Sequence, residues 1–292
     1  MQRRDFLRLG LAATAASAFP FSRSFGAESP AKVLYFSNSV GFEHDPVKIT
    51  SNGLSVSDIA LKKLGAANGV EVVCTKDGKV FDGDLKQYGC IAFYTSDDLL
   101  KGPNAMSVEG KKRFLAAIDD GVGFFGFHSA TDTWKTAGPP FETQTKVDPY
   151  ISMLGAEFIS HGPQQDADML VSQPAEIPWL KNKGEAFKYF DEWYALKNFN
   201  KDMHVIMTQE TKGMKGQEYQ RPPFPATWAR MQKKGRVMYC SMGHRNEFWQ
   251  DDNMMGLIRD CFGWILGRYD MDLTPNIDKV APQASVLRLV EK

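Results

Sequence analysis

Short apolar runs alternate with helical patterns between residues 32 and 127, and this alternation constrains the fold more than any other feature of the chain. The β-rich runs occupy residues 32–37, 70–74, 90–94 and 121–127. Two helical faces lie between them, one formed by Val56, Ile59, Ala60 and Leu64 and one, behind a Ser107 cap, by Phe114, Leu115 and Ile118. Strands separated by helices form βαβ units, in which the strands pair in parallel. The pattern predicts an α/β fold with a mostly parallel sheet.

The second half of the chain is less regular. Residues 129–235 are rich in Pro, Gly and aromatic residues, with strand candidates at 168–171 and 204–208. Regularity returns with a strand near 235–240 and a helix capped by Asp251 or Asp252 that ends near Gly267. One more strand is possible at 284–289. We expect one domain over residues 28–270 and a C-terminal tail over residues 271–292.

The N-terminus has the features of an export signal. Arg3 and Arg4 form a twin-arginine pair, and an apolar run extends from Leu9 to Phe19. The run is shorter than the roughly 20 residues that a membrane-spanning helix needs. We therefore interpret residues 1–27 as a twin-arginine signal peptide and expect a periplasmic or otherwise exported protein, with no membrane attachment after cleavage.

Charge and cysteine content exclude some functions. Lys plus Arg equals Asp plus Glu at 35 each, so nucleic acid is not expected as a partner, because phosphate binding needs clustered positive charge. No G-x-G-x-x-G or Walker lysine loop occurs, and no nucleotide cofactor is expected. The cysteines show no C-x-x-C spacing, and buried free thiols are the expectation for most of Cys74, Cys90, Cys240 and Cys261.

Histidines follow three of the predicted strands. His44 lies in the loop after the first strand, His128 directly follows the fourth, and His244 follows the strand near 236–240. Ligands of open parallel sheets bind beyond the carboxyl ends of the strands. A single loop histidine is more often bonded to nearby backbone. Three of them at equivalent strand ends favour a shared polar pocket.

Two further candidate segments lie in the irregular region. His161 is one, and the other consists of the consecutive residues Asp191, Glu192, Trp193 and Tyr194. Carboxylates accept hydrogen bonds from sugar hydroxyls, and aromatic rings cover the apolar face of a sugar. A surface acid pair beside a partly buried strand explains the second segment equally well. The remaining histidine, His204, begins an apolar strand and is interpreted as structural.

The chemistry of these residues leaves two alternatives. His128, His161 and His244 could bind a divalent metal, although no local H-x-x-x-H signature supports it. Otherwise the histidines and Glu192 could act directly as general acid and base. Nucleophilic catalysis is disfavoured, because the tip of the elbow-like segment 126–130 carries His128 rather than Ser or Cys.

These segments together resemble the ThuA-like (trehalose-utilisation) family of the class I glutamine amidotransferase-like superfamily. The matching segments are GFEH (41–44), GFHSATDT (126–133), LGAEF (154–158) with His161, DEWY (191–194), PATW (225–228) and GRVMYCSMGH (235–244). The resemblance covers about residues 31–268. It implies a flavodoxin-like three-layer sandwich and a functional link to sugar oxidoreductases that make 3-keto-glycosides. Amidotransferase activity is not carried over, because His128 occupies the position of the superfamily's catalytic cysteine.

The resemblance and the residues together give a main hypothesis and two alternatives. The main hypothesis is an exported sugar-acting hydrolase or lyase whose catalytic residues are His128, His161, Glu192 and His244. Its expected substrate-binding residues are His44, Asp191, Trp193, Tyr194 and Trp228. One alternative is a non-catalytic carbohydrate-binding or accessory protein, with Trp134 added to the aromatic lining. A weaker one is a hydrolase of some unrelated substrate.

Overall fold

The computed structural model of the protein describes residues 31–288, so the predicted signal peptide, residues 1–27, lies outside the described residues. The strands of this part are β1 (Ala31–Phe36), β2 (Val70–Thr75), β3 (Cys90–Phe93), β4 (Gly123–Phe127), β5 (Glu157–His161), β6 (Gln165–Val171), β7 (Ala186–Asp191), β8 (Tyr194–Lys197), β9 (His204–Gln209), β10 (Phe224–Gln232) and β11 (Gly235–Cys240). Its helices are α1 (Val56–Ala67), α2 (Val108–Asp120), α3 (Pro149–Leu154), α4 (Asn246–Gln250), α5 (Asp252–Ile265) and α6 (Ile277–Val280).

One nine-stranded sheet organises the molecule, in the order β2-β1-β3-β4-β11-β10-β9-β6-β7. The first five strands pair in parallel, as the alternating pattern predicts. The remaining four extend the sheet by antiparallel pairing. Strands β5 and β8 form a separate antiparallel pair. The protein is thus a mixed α/β structure with a large central sheet, and the irregular region supplies its antiparallel half.

Helices cover both faces of the parallel half. Successive residues of a strand point to opposite faces, and β1 shows this directly. Val33 and Tyr35 belong to a core that includes residues of α1 and α5, whereas Leu34 and Phe36 belong to a core that includes residues of α2 and α3. Both faces of β1 are therefore buried, which explains its continuous apolar sequence.

Local capping explains where the helices begin. Ser107 caps α2 through Gly110 N, as predicted, and Asp251 caps α5 through Asn253 N. The predicted face of α1 is partly wrong, because Ile59 is 43% exposed. Leu61 is buried in its place, and the helix also turns Ser57 inward, where it accepts a hydrogen bond from Tyr35 Oη.

The C-terminal segment packs against the domain. Ile277, Ala281 and Ala284 are buried in the second of the two cores, the one that contains α2 and α3. The strand predicted at 284–289 does not form over residues 284–288, which consist of a turn and irregular chain. Ala284 is the residue of this stretch that reaches that core, whereas Val286 is 38% exposed. None of the helices within residues 31–288 combines the length and the apolar character that crossing a membrane requires.

Candidate histidine–carboxylate site

The structure brings three loop histidines and one glutamate together, and we call this group the histidine centre: His44, His128, Glu192 and His244. The ring centroids of His44 and His128 lie 5.0 Å apart, and His244 lies 5.1 Å from each of them. Glu192 follows β7, and its Oε2 is 3.0 Å from His244 Nδ1 and 3.5 Å from His128 Nε2. One nitrogen or oxygen atom from each of the four side chains lies within 4.8 Å of all the others.

Hydrogen bonds to the surrounding protein define the state of His128. Its Nδ1 is 2.9 Å from Ser241 O, and a carbonyl oxygen can only accept. His128 Nδ1 therefore carries a proton, and Nε2 is the ring nitrogen that faces the centre. This Nε2 lies 3.5 Å from Glu192 Oε2 and 3.2 Å from His244 Nδ1, and a single hydrogen on His244 Nδ1 can be donated to only one of these two atoms. The arrangement calls for a further positive charge at the centre.

Burial and neighbouring charges set the protonation of two members. Desolvation, reinforced by the neighbouring imidazoles of His128 and His244, lowers the pKa of His44 to about 2. His44 is therefore neutral at ordinary pH. Burial raises the pKa of Glu192, but the adjacent imidazoles of His128 and His244 outweigh that effect and hold its pKa well below the usual value. The centre thus contains a neutral imidazole and a carboxylate, both able to act as ligands.

His44 also has unfulfilled bonding capacity. Its Nε2 lies 3.2 Å from Tyr194 Oη. Its Nδ1 is buried without a hydrogen-bond partner among the described residues. Buried polar atoms in folded proteins nearly always have a partner, and an exception is a frequent sign of a bound ion, water or ligand. His44, one of the expected substrate-binding residues, is therefore an integral member of the centre.

Asp191 positions members of the centre through hydrogen bonds to the backbone. Its two carboxylate oxygens accept hydrogen bonds from Glu192 N at 2.9 Å and from Gly243 N at 2.8 Å. Gly243 O in turn accepts from Tyr94 Oη and Trp249 Nε1. Asp191 has no exposed surface, and burial raises its pKa. The expectation that Asp191 binds substrate is corrected, because its oxygens are committed to backbone groups that position Glu192 and His244.

His161 lies at the edge of the group. Its Nδ1 is 3.1 Å from Glu192 Oε1, and its side chain is 44% exposed. The four atoms that meet most closely come from the histidine centre, of which His161 is not a member. Of the predicted metal ligands, His128 and His244 thus belong to the centre, whereas His161 lies beside it. His161 ends strand β5 on the solvent side, whereas His44 and Glu192 complete the buried set.

Comparison with known proteins places this chain in a family. The family model for trehalose utilisation, ThuA, matches residues 32–265. The chain belongs to the ThuA family. A ThuA-like protein from Bacteroides uniformis has a similar structure, with a TM-score of 0.60 and 21% identity over 85% of this chain and 95% of that one. A ThuA-like protein from Parabacteroides merdae has a TM-score of 0.59 and 16% identity over 83% and 92%. No curated protein matches the chain significantly.

Two aromatic residues expected to bind substrate lie instead in the core of this ThuA protein. Trp193 and Trp228 have no exposed surface. The indole nitrogen of Trp193 donates to Gln165 O, and that of Trp228 donates to Leu154 O. Rings that are enclosed and fully bonded within the protein cannot stack on a ligand. Tyr194 does reach the site, because its ring centroid is 4.2 Å from that of His128.

The turn that carries His128 is strained in the way the elbow-like sequence suggested. His128 has φ +38°, in the left-handed region that a non-glycine residue rarely adopts. Gly126 permits the close approach, since a Cβ there would lie 3.0 Å from Leu154 and 3.1 Å from Ala130. Strain of this kind collects at functional sites, where the surrounding packing holds it. The tip of the ThuA elbow thus presents an imidazole.

One wall of the site was missed by sequence reasoning. Asp132 closes the short 3-10 turn that begins at His128, and its carboxylate lies 2.5 Å from Lys135 Nζ. Lys135 Nζ lies over the ring of Phe158, which packs against Tyr194 at a centroid distance of 4.1 Å. Burial raises the pKa of Asp132 to about 6. Asp132, Lys135 and Phe158 do not directly follow predicted strands. Asp132 and Phe158 do lie in the segments that resemble the ThuA-like family, and this was the one sequence signal that could have identified them.

Proposed function

We propose that this ThuA protein is a carbohydrate-acting enzyme whose histidine centre binds a divalent metal and performs acid–base chemistry on a sugar or keto-glycoside. The convergence of three imidazoles and one carboxylate within 4.8 Å carries the proposal. Imidazole and carboxylate ligands suit zinc and other first-row transition metals. A cation would also be coordinated by His128 Nε2 and Glu192 Oε2, which lie 3.5 Å apart.

The residues around the centre can be assigned separate roles in this reaction. When bound, the ion would polarise a carbonyl or hydroxyl oxygen of the substrate. Glu192 Oε1 lies 3.1 Å from His161 Nδ1, so a proton can pass between the buried carboxylate and an imidazole that is open to solvent. Asp191 and Tyr194 hold the reacting groups in place. A hydrolase or lyase reaction fits these roles.

Sulfur chemistry is not part of this proposal. All four cysteines are free thiols within the described residues. Burial raises the pKa of Cys240 to about 11, which leaves its thiol protonated and unreactive. The elbow tip carries His128. An amidotransferase mechanism, which needs a thiolate at that tip, is therefore not proposed.

The wider setting of the protein is also part of the proposal. The helices on both faces of the sheet support a flavodoxin-like three-layer sandwich. The twin-arginine pair Arg3-Arg4 and the apolar run after it support export to the periplasm. The family's link to trehalose utilisation supports a sugar substrate, supplied by an oxidoreductase if the substrate is a keto-glycoside.

Metal content of purified protein tests the proposal most directly. We expect about one transition-metal ion per chain in the wild type, and its loss in H128A and H44A, because each variant removes a buried ligand. His204 is the control, since it binds Thr274 O outside the centre, and the H204Q variant should keep its metal. Retention of metal by both H128A and H44A would contradict the metal site.

Turnover completes the test. E192Q keeps the size of the side chain but removes its charge, so it should lose turnover of 3-keto-glycosides while its thermal melt stays close to that of the wild type. Binding of sugars without any consumption by the metal-loaded wild type would instead identify a carbohydrate-binding or accessory protein.

A further inference from the structure

Two large aromatic side chains are exposed within residues 31–288, and both lie close in sequence to members of the histidine centre. Phe42 is 65% exposed and Phe190 is 41% exposed. Phe42 precedes His44 by two residues, and Phe190 precedes Glu192 by two residues. The other large apolar side chains that are exposed are aliphatic: Ile49, Ile59, Val108, Met231 and Val286. Exposed aromatic surface is thus concentrated beside the site.

The two rings differ in what already covers them. The guanidinium of Arg245 lies 4.8 Å from the ring centroid of Phe190 and is itself held by Glu247. Phe42 meets only the ring of His44 among the described aromatic and cationic groups, edge to face at a centroid distance of 4.9 Å and an angle of 89°. Because that contact is edge to face, it leaves ring surface of Phe42 open to solvent.

The backbone that carries Phe42 is held firmly on the side of strand β3. Ser96 Oγ donates to Phe42 O at 3.1 Å, and Val40 N donates to Ser96 O at 3.3 Å. Gly41 has φ +96°, and a Cβ at this position would lie 2.7 Å from Asp97 Oδ2. Only glycine fits both the backbone conformation and the close approach, so the direction of the Phe42 ring is built into the loop.

The residues after Phe42 are held as well. Glu43 Oε1 is paired with Lys76 Nζ at 2.6 Å, and the Lys76 side chain is only 18% exposed. His44 is fixed by Tyr194 Oη. An exposed ring on a fixed loop loses little conformational entropy when a ligand covers it, which makes it an efficient contact surface.

We propose that Phe42 is the stacking platform for a neutral pyranoside ring whose polar edge faces the histidine centre. Aromatic faces attract apolar C–H surface, and a pyranose offers a C–H face on one side and hydroxyl groups around its edge. Phe42 offers an apolar surface and the adjacent His44 offers a polar one, which matches the C–H face and the hydroxyl edge of the sugar.

This inference rests on the proposed function, because it assigns the substrate class of the same site. It adds a requirement on the shape of the substrate. A cyclic sugar with a continuous C–H face should bind, whereas an acyclic polyol with the same hydroxyl groups lacks the rigid face that stacking needs.

Calorimetry on the metal-loaded protein tests the platform, with trehalose, methyl glucoside and sorbitol as the probes. F42A and F42L should each weaken binding of the two cyclic sugars at least fivefold, whereas F42W, which keeps an aromatic face, should bind them like the wild type. F42L is informative because it retains apolar surface but has no ring. Binding of sorbitol should be weak in every variant.

V108A is the matched control, since Val108 is 62% exposed and lies at the start of helix α2. It should bind like the wild type, and metal content should be the same in all variants. Wild-type affinity in F42A would overturn the platform while leaving the proposed function intact. Failure of the metal-loaded wild type to bind either cyclic sugar would also overturn the platform, whereas the proposed function is overturned only if the centre binds no metal or 3-keto-glycosides are not turned over.

Discussion

The protonation of a single side chain, that of Asp132, affects the stability of the whole protein. It lies four residues after His128, in the same short turn, and is paired with Lys135. Its side chain is only 13% exposed, and burial raises its pKa to about 6 despite the neighbouring lysine. A carboxyl group in this condition changes its charge close to neutral pH. Its contribution to stability therefore changes between about pH 4 and pH 6.

We predict that D132N gains stability relative to the wild type as pH rises. The folded state binds the Asp132 proton more tightly than the unfolded state, so the stabilisation is complete below about pH 4 and is lost as pH rises through about 6. A shift of about two units corresponds to at most about 3 kcal/mol. Urea unfolding of both proteins between pH 4 and pH 8 measures this difference.

The control for this experiment is D278N. Asp278 has a side chain that is 75% exposed and is paired with Lys201 at the surface. Its substitution should shift stability by a small amount that changes little over the same pH range. A difference between D132N and the wild type that stays constant from pH 4 to pH 8 would show that burial does not perturb this carboxyl group.

At the level of strands and loops, the site depends on a curved sheet. Strands β7 and β11 are separated by three others in the sheet order. In a flat sheet four strand spacings would put them roughly 19 Å apart. Asp191 Oδ2, at the end of β7, nevertheless lies 2.8 Å from Gly243 N, just beyond β11. The antiparallel half must therefore twist and curl back towards the parallel half, which carries Glu192 to the histidines.

This curvature explains which parts of the site could be predicted from the sequence. His44, His128 and His244 follow parallel strands, whose carboxyl ends meet at one edge whatever the details of the sheet. Glu192 was found only through its acidic and aromatic neighbours, because nothing local reveals where an antiparallel edge strand will curl. The same local pattern misled the interpretation of Trp193, since an aromatic residue beside acids is equally typical of a strand that alternates between core and site.

The strands also fall into a group that the sequence identifies and a group that it does not. Continuous apolar runs identified the parallel strands β1, β3, β4 and β11, which are largely buried, and also the edge strand β2, which is only partly buried. Strands β7 and β8 are short and separated by only Glu192 and Trp193, and β7 alternates between exposed and partly buried residues. Their pairing partners are set by tertiary contacts rather than by their own sequences.

We predict that D191N weakens metal binding without unfolding the protein. The amide of asparagine has one oxygen, so it cannot accept from both Glu192 N and Gly243 N, and the segments carrying Glu192 and His244 lose a shared support. Loss of such outer supports typically costs about 10- to 100-fold in metal affinity. Competition with a chromophoric chelator measures the change.

D168N provides the comparison for that measurement, because Asp168 lies on β6 with a side chain that is 48% exposed and touches only Lys188 loosely. It should bind metal like the wild type. If D191N also binds metal with unchanged affinity, while its melt remains intact, the support assigned to Asp191 is not needed to form the centre.

For the molecule as a whole, the C-terminal segment completes the fold. Arg221 joins it to the domain, with one guanidinium nitrogen donating to Leu196 O and another to Ala284 O. Ile277 and Ala281 fill the second core beside β9. The segment that the sequence suggested as a separate tail therefore shields core residues that would otherwise face water, and its contribution should appear in stability rather than in metal binding.

Asn276 makes the contact that tests this role. Strand β6 pairs with β9 only at residues 207–209, so the backbone of Val205 has no strand neighbour on that side. The Asn276 side chain replaces one, because its Oδ1 accepts from Val205 N at 2.6 Å and its Nδ2 donates to Val205 O at 3.0 Å. N276A would leave both backbone groups without these partners, which should cost about 2–3 kcal/mol.

In a protein of this size that loss corresponds to a melting temperature lower by roughly 5–10 °C. Thermal melts of N276A, the wild type and N200A measure it; Asn200 donates one exposed hydrogen bond to Ser152 O, so its loss should matter little. Metal content should be equal in all three proteins, because the Asn276 contact is to the Val205 backbone and not to the histidine centre. A melt of N276A equal to that of the wild type would show that the C-terminal segment rests on the domain without stabilising it, whereas a loss of metal would show that the segment and the site are coupled.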